Sequence, residues 1–245
     1  FFRFLLISIF VVGSVFIIIT SYFAKDIKQS ILKKIQQNLE NPLILDNVEF
    51  SSYKTFPYAS VEITNLLVLE SKEFQNDTLL FTKRAYAEIS LLDIINKIYD
   101  IQNLIITDAK INIKYNDLNQ PNFLIFKRNH KGKNLLSINK ITLLNTKLNL
   151  TKEVPLLNIN WDLERAIISI ANQKYTFNTK GFSKKLAVGT IDYMNDKQFK
   201  FIANTQITND VIKILDSDLN IDNVVLNLKG EISQGNTLNL EIYAQ

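Results

Sequence analysis

Residues 59–69, ASVEITNLLVL, decide the fold class: apolar Val61, Ile63, Leu67 and Leu69 take alternate positions, with polar Ser60, Glu62 and Thr64 between the first of them. Side chains that alternate with period 2 belong to a strand with one apolar face. The same alternation returns at Phe81, Ala85, Ala87 and Ile89, at Ala109, Ile111, Ile113 and Tyr115, and at Leu144, Thr146, Leu148 and Leu150. It continues through Leu157, Ile159, Trp161 and Leu163, then Tyr175 and Phe177, Phe199 and Phe201, and Val224, Leu226 and Leu228. About a dozen strands are expected.

Helical interruptions are few. LLDIINKIY at 91–99, NFLIFKR at 122–128 and NDVIKIL at 209–215 each suit one or two turns, too little to cover so wide a sheet. The expected fold is therefore mainly β, a long antiparallel sheet over residues 42–245. A twisted antiparallel sheet with one apolar side must close into a barrel, pair with a second sheet, or hold something apolar.

Upstream of the sheet the pattern changes. Phe4 to Ala24 is a run of 21 residues without a charge, and at about 1.5 Å per residue a helix of this length crosses a hydrocarbon core of about 30 Å. Residues 1–24 are expected to be a transmembrane anchor, with Leu5, Ile9, Val12, Ile17 and Ile18 among its membrane-anchoring residues. The competing reading, a cleaved signal peptide, needs a shorter apolar core and a small residue where Tyr22 stands. Residues 25–41 continue as an amphipathic helix. Ile27, Ile31, Ile35 and Leu39 recur every four positions and Leu32 widens the stripe, Lys28, Lys33, Gln37 and Glu40 take the other side, and Asn41-Pro42 ends it. Its stripe is expected to cover one end of the domain core; lying at a membrane surface with its lysines near headgroups is the compatible alternative.

Composition narrows the function classes. The 245 residues contain no cysteine, which removes disulfides and thiolate metal sites, and the net charge of +4 is scattered. No basic face suggests nucleic acid. The chain is expected to continue beyond both ends, since no Met precedes Phe1 and Leu238 to Tyr243 still reads as a strand. Lysines 25, 28, 33 and 34 follow the apolar run while only Arg3 precedes it, which by the positive-inside rule would leave the sheet in the cytoplasm.

The order of an apolar span, a Lys-rich amphipathic helix, a strand, the Phe56-Pro57 step and ASVEITNLLVL resembles the N-terminal region of AsmA-like proteins. The similarity runs on through residues 79–117, LLFTKRAYAEISLLDIINKIYDIQNLIITDAKINIKYND, and through 205–233. Gln120-Pro121-Asn122-Phe123 resembles that family's G-x-x-N-[WF] loop, with Asn119 and Gln120 where glycine is usual. What the resemblance implies is a repeating β-groove, a long curved sheet whose concave side is apolar. It also implies anchorage in the bacterial inner membrane, a C-terminal domain in the periplasm against the charge rule, and phospholipid transport toward the outer membrane. On that reading Val61, Ile63, Leu67, Phe81, Ala85, Ala87, Ile89, Ile111, Ile113 and Tyr115 line the groove.

Catalytic chemistry is not expected. His130 is the sole histidine, there is no P-loop, G-x-S-x-G or G-x-G-x-x-G, and no cofactor or metal site is assigned. Asp216, Asp218, Asn220 and Asp222 mimic a calcium loop, but Ile221 stands where glycine is needed and Asn227 where the bidentate glutamate belongs. Two function classes remain. One is a lipid-handling protein, with phospholipid acyl chains and the inner membrane as partners. The other is a structural or assembly protein with a closed β-sandwich core, docking outer-membrane or periplasmic proteins.

Overall fold

The computed structural model describes residues 39–51, 58–90, 100–125, 137–153, 156–208, 211–222, 224–233 and 238–244, with isolated positions at 29, 32, 33, 36, 93 and 96. The expected anchor, 1–24, its residues Leu5, Ile9, Val12, Ile17 and Ile18, and His130 lie outside the described residues. Most of the expected helices 25–41 and 91–99 lie outside them too. Among the described residues no helix is long and apolar enough to cross a membrane.

The strands are β1 (Asn47–Ser51), β2 (Tyr58–Leu69), β3 (Thr78–Ser90), β4 (Ile101–Lys114), β5 (Lys140–Lys152), β6 (Leu157–Ala171), β7 (Lys174–Val188), β8 (Ile191–Asp192), β9 (Lys197–Thr208), β10 (Val211–Ile221), β11 (Val224–Ser233) and β12 (Leu238–Ala244). They form one sheet in chain order, with the short β8 paired to β7 beside the main path. The sheet does not close. The chain is thus mainly β, as the alternation requires.

Two expectations are corrected. The sheet is mixed, because β4 and β5 run parallel, Leu104 beside Ile141 and Lys114 beside Thr151. A parallel neighbour needs a crossover rather than a hairpin, and the 25 residues from Tyr115 to Asn139 supply it. Residues 211–215 of the expected helix 209–215 are extended in β10, with 211–214 paired on both sides to β9 and β11. Seven residues make too few helical hydrogen bonds to compete with two ladders. In the expected helix 122–128, Asn122 and Phe123 form a turn and 126–128 are outside the described residues.

The buried apolar residues of β2 to β10 lie chiefly on one face, as rows across the sheet. One row runs through Ile63, Ala85, Ile106, Leu143, Ala166, Thr179, Phe201 and Leu219, each paired to the next. The adjoining row holds Leu66, Thr82, Ala109, Thr146, Leu163, Gly181, Phe199 and Ile221. In β2 to β6 members of the two rows are three residues apart, and in β7, β9 and β10 they are two apart. The extra residue is passed over by the ladder: Asn65, Lys83, Asp108, Asn145 and Glu164, one per strand at one level. Asn65, Asp108 and Asn145 have φ of 49°, 52° and 49°, in the left-handed region that Asn and Asp tolerate best among residues with a Cβ.

Each interruption frees backbone groups from the ladder, and buried threonines recover some of them. Thr82 Oγ1 donates to the carbonyls of Thr107, at 2.6 Å, and Arg84, at 2.9 Å, and Thr146 Oγ1 to that of Leu144 at 3.2 Å. The line ends between β6 and β7, where the register shifts between Leu163 and Arg165. Gly181 sits opposite that shift, and a Cβ there would meet the Asp162 carbonyl oxygen at 2.6 Å. A side chain would push the two strands apart at the bulge.

Candidate functional site

The apolar face is the largest feature these strands build. Its buried part belongs chiefly to β2, β3 and β4, where Val61, Ala87, Ile89 and Ile101 are almost wholly covered. Covering a Val or Ile side chain contributes about 1.5–3 kcal/mol. Leu43, Leu45 and the isolated Leu32 pack against this part, Leu32 from the expected amphipathic stripe. Further along, Leu104, Ile141, Ile168, Phe177 and Phe201 on the same face are only half-buried. Trp161 and Phe199 pack ring to ring at 4.6 Å, tilted 45°.

The residues expected to line a groove divide at the interrupted level. Val61, Ile63, Ala85, Ala87 and Ile89 lie together on the buried face. Beyond Asn65 the parity shifts by one, so that Leu66 and Val68 join the cluster and Leu67 does not. Phe81 pairs with Leu67 and Lys110 and is exposed, with neighbouring Leu80 packing on the cluster in its place. Ile111 packs on the cluster and Ile113 is half-buried. Tyr115 lies past the end of β4, its ring edge-on to Phe123 at 6.3 Å with Lys152 Nζ 5.3 Å from its centre, and burial raises its phenol pKa.

A second feature, not foreseen, fastens one end of the sheet. Asn122 is fully buried in the crossover and every polar group it has is paired. Its side-chain amide donates to Glu70 Oε1 and to the Asn112 carbonyl, both at 2.9 Å, and its Oδ1 accepts from the Lys114 amide at 3.0 Å. Its own amide donates to the Lys114 carbonyl and its carbonyl accepts from the Ser71 amide. Glu70, also buried, meets Lys114 Nζ at 2.9 Å, and Lys114 reaches Asp77 at 2.7 Å. The Asp77 carboxylate holds the Lys114 ammonium above its ordinary pKa, ahead of the opposing cost of burial and the further help of Glu70. Asp77 is held below its ordinary value chiefly by Lys114. In the same loop Asn119 has φ of 61°, so an Asn performs the left-handed turn that glycine would otherwise supply.

These contacts describe a scaffold beside an apolar surface. No protein-family model and no curated protein matches the chain. What the site can do therefore rests on its own geometry.

The opposite face is mixed: charged and amide side chains share it with a row through Tyr86, Ile105, Ile167 and Ile202. A concavity of about 620 Å³ lies there beside the interrupted level, lined by Lys147, Asp162, Glu164, Lys180, Lys200 and Asp222 among others. Ion pairs join Lys180 to Glu164 at 2.8 Å and Lys184 to Asp162 at 2.9 Å. The calcium-like residues are in or next to β10. Asp216 accepts from Asn204 at 2.7 Å, and Asp222 pairs with Lys197 at 2.8 Å. Among the described residues no group of three His, Cys, Asp or Glu could hold a metal ion.

Proposed function

We propose that this chain is a lipid-handling protein of the AsmA-like kind, anchored in the bacterial inner membrane by residues 1–24 with its sheet in the periplasm. Phospholipid acyl chains lie on the apolar face and headgroups trail in water, so that the sheet serves as a groove toward the outer membrane. Outer-membrane or periplasmic proteins are its partners at the far end. The observation that carries this reading is the continuous apolar face of an unclosed sheet, half-buried at Leu104, Ile141, Ile168 and Phe177. Strand-to-strand packing follows the hydrogen-bonded neighbours in ladder order. An unclosed sheet in ladder order suits a groove, whereas the assembly reading calls for two stacked sheets with a dry core. Ladder interruptions bend the strands that carry them, and five at one level give the sheet reason to curve. Small residues further along this face, Ala166 and Ala203 beside half-buried Ile168 and Phe177, leave width for a guest chain.

Mass spectrometry of residues 42–245 purified without detergent should detect phospholipid bound to the protein. A preparation that folds and carries no lipid would contradict the groove.

A further inference from the structure

Among the described residues, most large apolar side chains left in solvent lie at one end of the sheet, with Tyr58, Ile212 and Leu215 exposed toward the other. The β4–β5 crossover exposes Leu118, at 79%, together with Phe123 and Leu124, and the next turns at that end expose Leu156 and Ile191. The β6–β7 turn at the other end is Asn172-Gln173, both polar and exposed. The chain arriving from the apolar N-terminal run enters at the greasy end: the Glu40 amide donates to the Ile125 carbonyl at 2.8 Å, and Asn41 Nδ2 to the Glu70 carbonyl at 2.7 Å. Glu40 follows Ala24 by only 16 residues.

The crossover is held firmly where it shows these side chains. Asn122, next to Phe123, is locked by the buried contacts to Glu70, Asn112, Lys114 and Ser71. An exposed leucine at the tip of a pinned loop is not there for want of packing nearby. Its surroundings are those of a membrane interface, where aromatic rings sit at headgroup level and lysines extend toward phosphates. Tyr115 and Phe123 form the aromatic pair, and Lys152 stands over Tyr115.

We infer that the β4–β5 crossover is a membrane foot, with Leu118, Phe123 and Leu124 entering the headgroup boundary of the bilayer that holds residues 1–24. The inference rests on the anchored reading above and adds to it the point of contact. Adjacent strands rotate by about 20–25°, so turns further along, such as that of Ile191, swing away from the plane the foot rests on. The foot stands beside the first strands of the sheet, where the Ser71 amide donates to the Asn122 carbonyl.

The chain has no cysteine, so single positions can be labelled cleanly. The full chain carrying Leu118→Cys, coupled to an environment-sensitive nitrobenzoxadiazole dye, is reconstituted into vesicles of phosphatidylethanolamine and phosphatidylglycerol, with Asn172→Cys as the aqueous baseline. The dye at 118 should be blue-shifted relative to 172 and quenched by lipids spin-labelled near the top of the acyl chain. Equal emission at both positions, with the protein still floating with the vesicles, would overturn the foot alone. A blue shift that grew with protein copies per vesicle at fixed lipid would also overturn it, assigning the patch to a second copy. Failure of the protein to float would overturn the anchored reading, and the foot with it.

Discussion

Strands β2 to β6 and strands β7, β9 and β10 carry the same two apolar rows by different routes. The first group spends an extra residue between the rows, at Asn65, Lys83, Asp108, Asn145 and Glu164, and the second spends none. The stepped strands β2, β3 and β4 also hold the tightest burial, at Val61, Ala87 and Ile89, while Phe177 in unstepped β7 is half-open. One sheet therefore combines a closely covered portion with a half-covered one.

The sharpest way to break that contrast is to put the same charge in both portions. Ile63→Glu sets a carboxylate at a site only 4% exposed and should cost about 3–5 kcal/mol or unfold the domain. Phe177→Glu can keep its carboxylate hydrated and should cost about 1–2 kcal/mol, the lost contacts of the ring. Urea melts of the two variants check this; similar losses would mean that β7 is as closed as β2.

The step itself can be tested at Asn145. Its φ of 49° is strained for a β-branched residue and free for glycine. Asn145→Val should destabilise by about 1–2 kcal/mol, while Asn145→Gly stays within about 0.5 kcal/mol. Thermal melts that ranked the two the other way would remove the left-handed turn from the account.

A smaller effect comes from the fastened end of the stepped portion. Asp77 is held below 3.8 by Lys114, so the stability it contributes is complete above pH 3.8 and disappears as pH falls through the lower folded-state value. Lys114 is held above 10.5, so its contribution is complete below pH 10.5 and disappears as pH rises through the higher value. Melting temperature compared between the chain and Asp77→Asn should differ between those limits and converge in acid. A constant difference down to pH 2 would mean that the pair contributes nothing.

The same contrast explains how far the sequence could be read. Strand number followed from alternation, and within an uninterrupted segment such as 59–63 the face was right. Asn65 broke the parity without any local signal except its type, so Leu67 was grouped with Ile63 when Leu66 belongs there. Phe81 was misgrouped across Lys83 for the same reason. The parallel β4–β5 pair was hidden because alternation says nothing of direction. The Glu70–Asn122 contact was hidden because its partners are 52 residues apart.

The central claim, an apolar face that carries lipid, is tested most directly by a photo-crosslinking phenylalanine analogue in cells at positions 177 and 178. Phe177 shares its face with Ile168 and Ala203, and the neighbouring side chain of Asn178 points to the other side. The account predicts a phospholipid adduct at 177 and none at 178. Equal capture at both positions, or none at 177 in a folded protein, would contradict it.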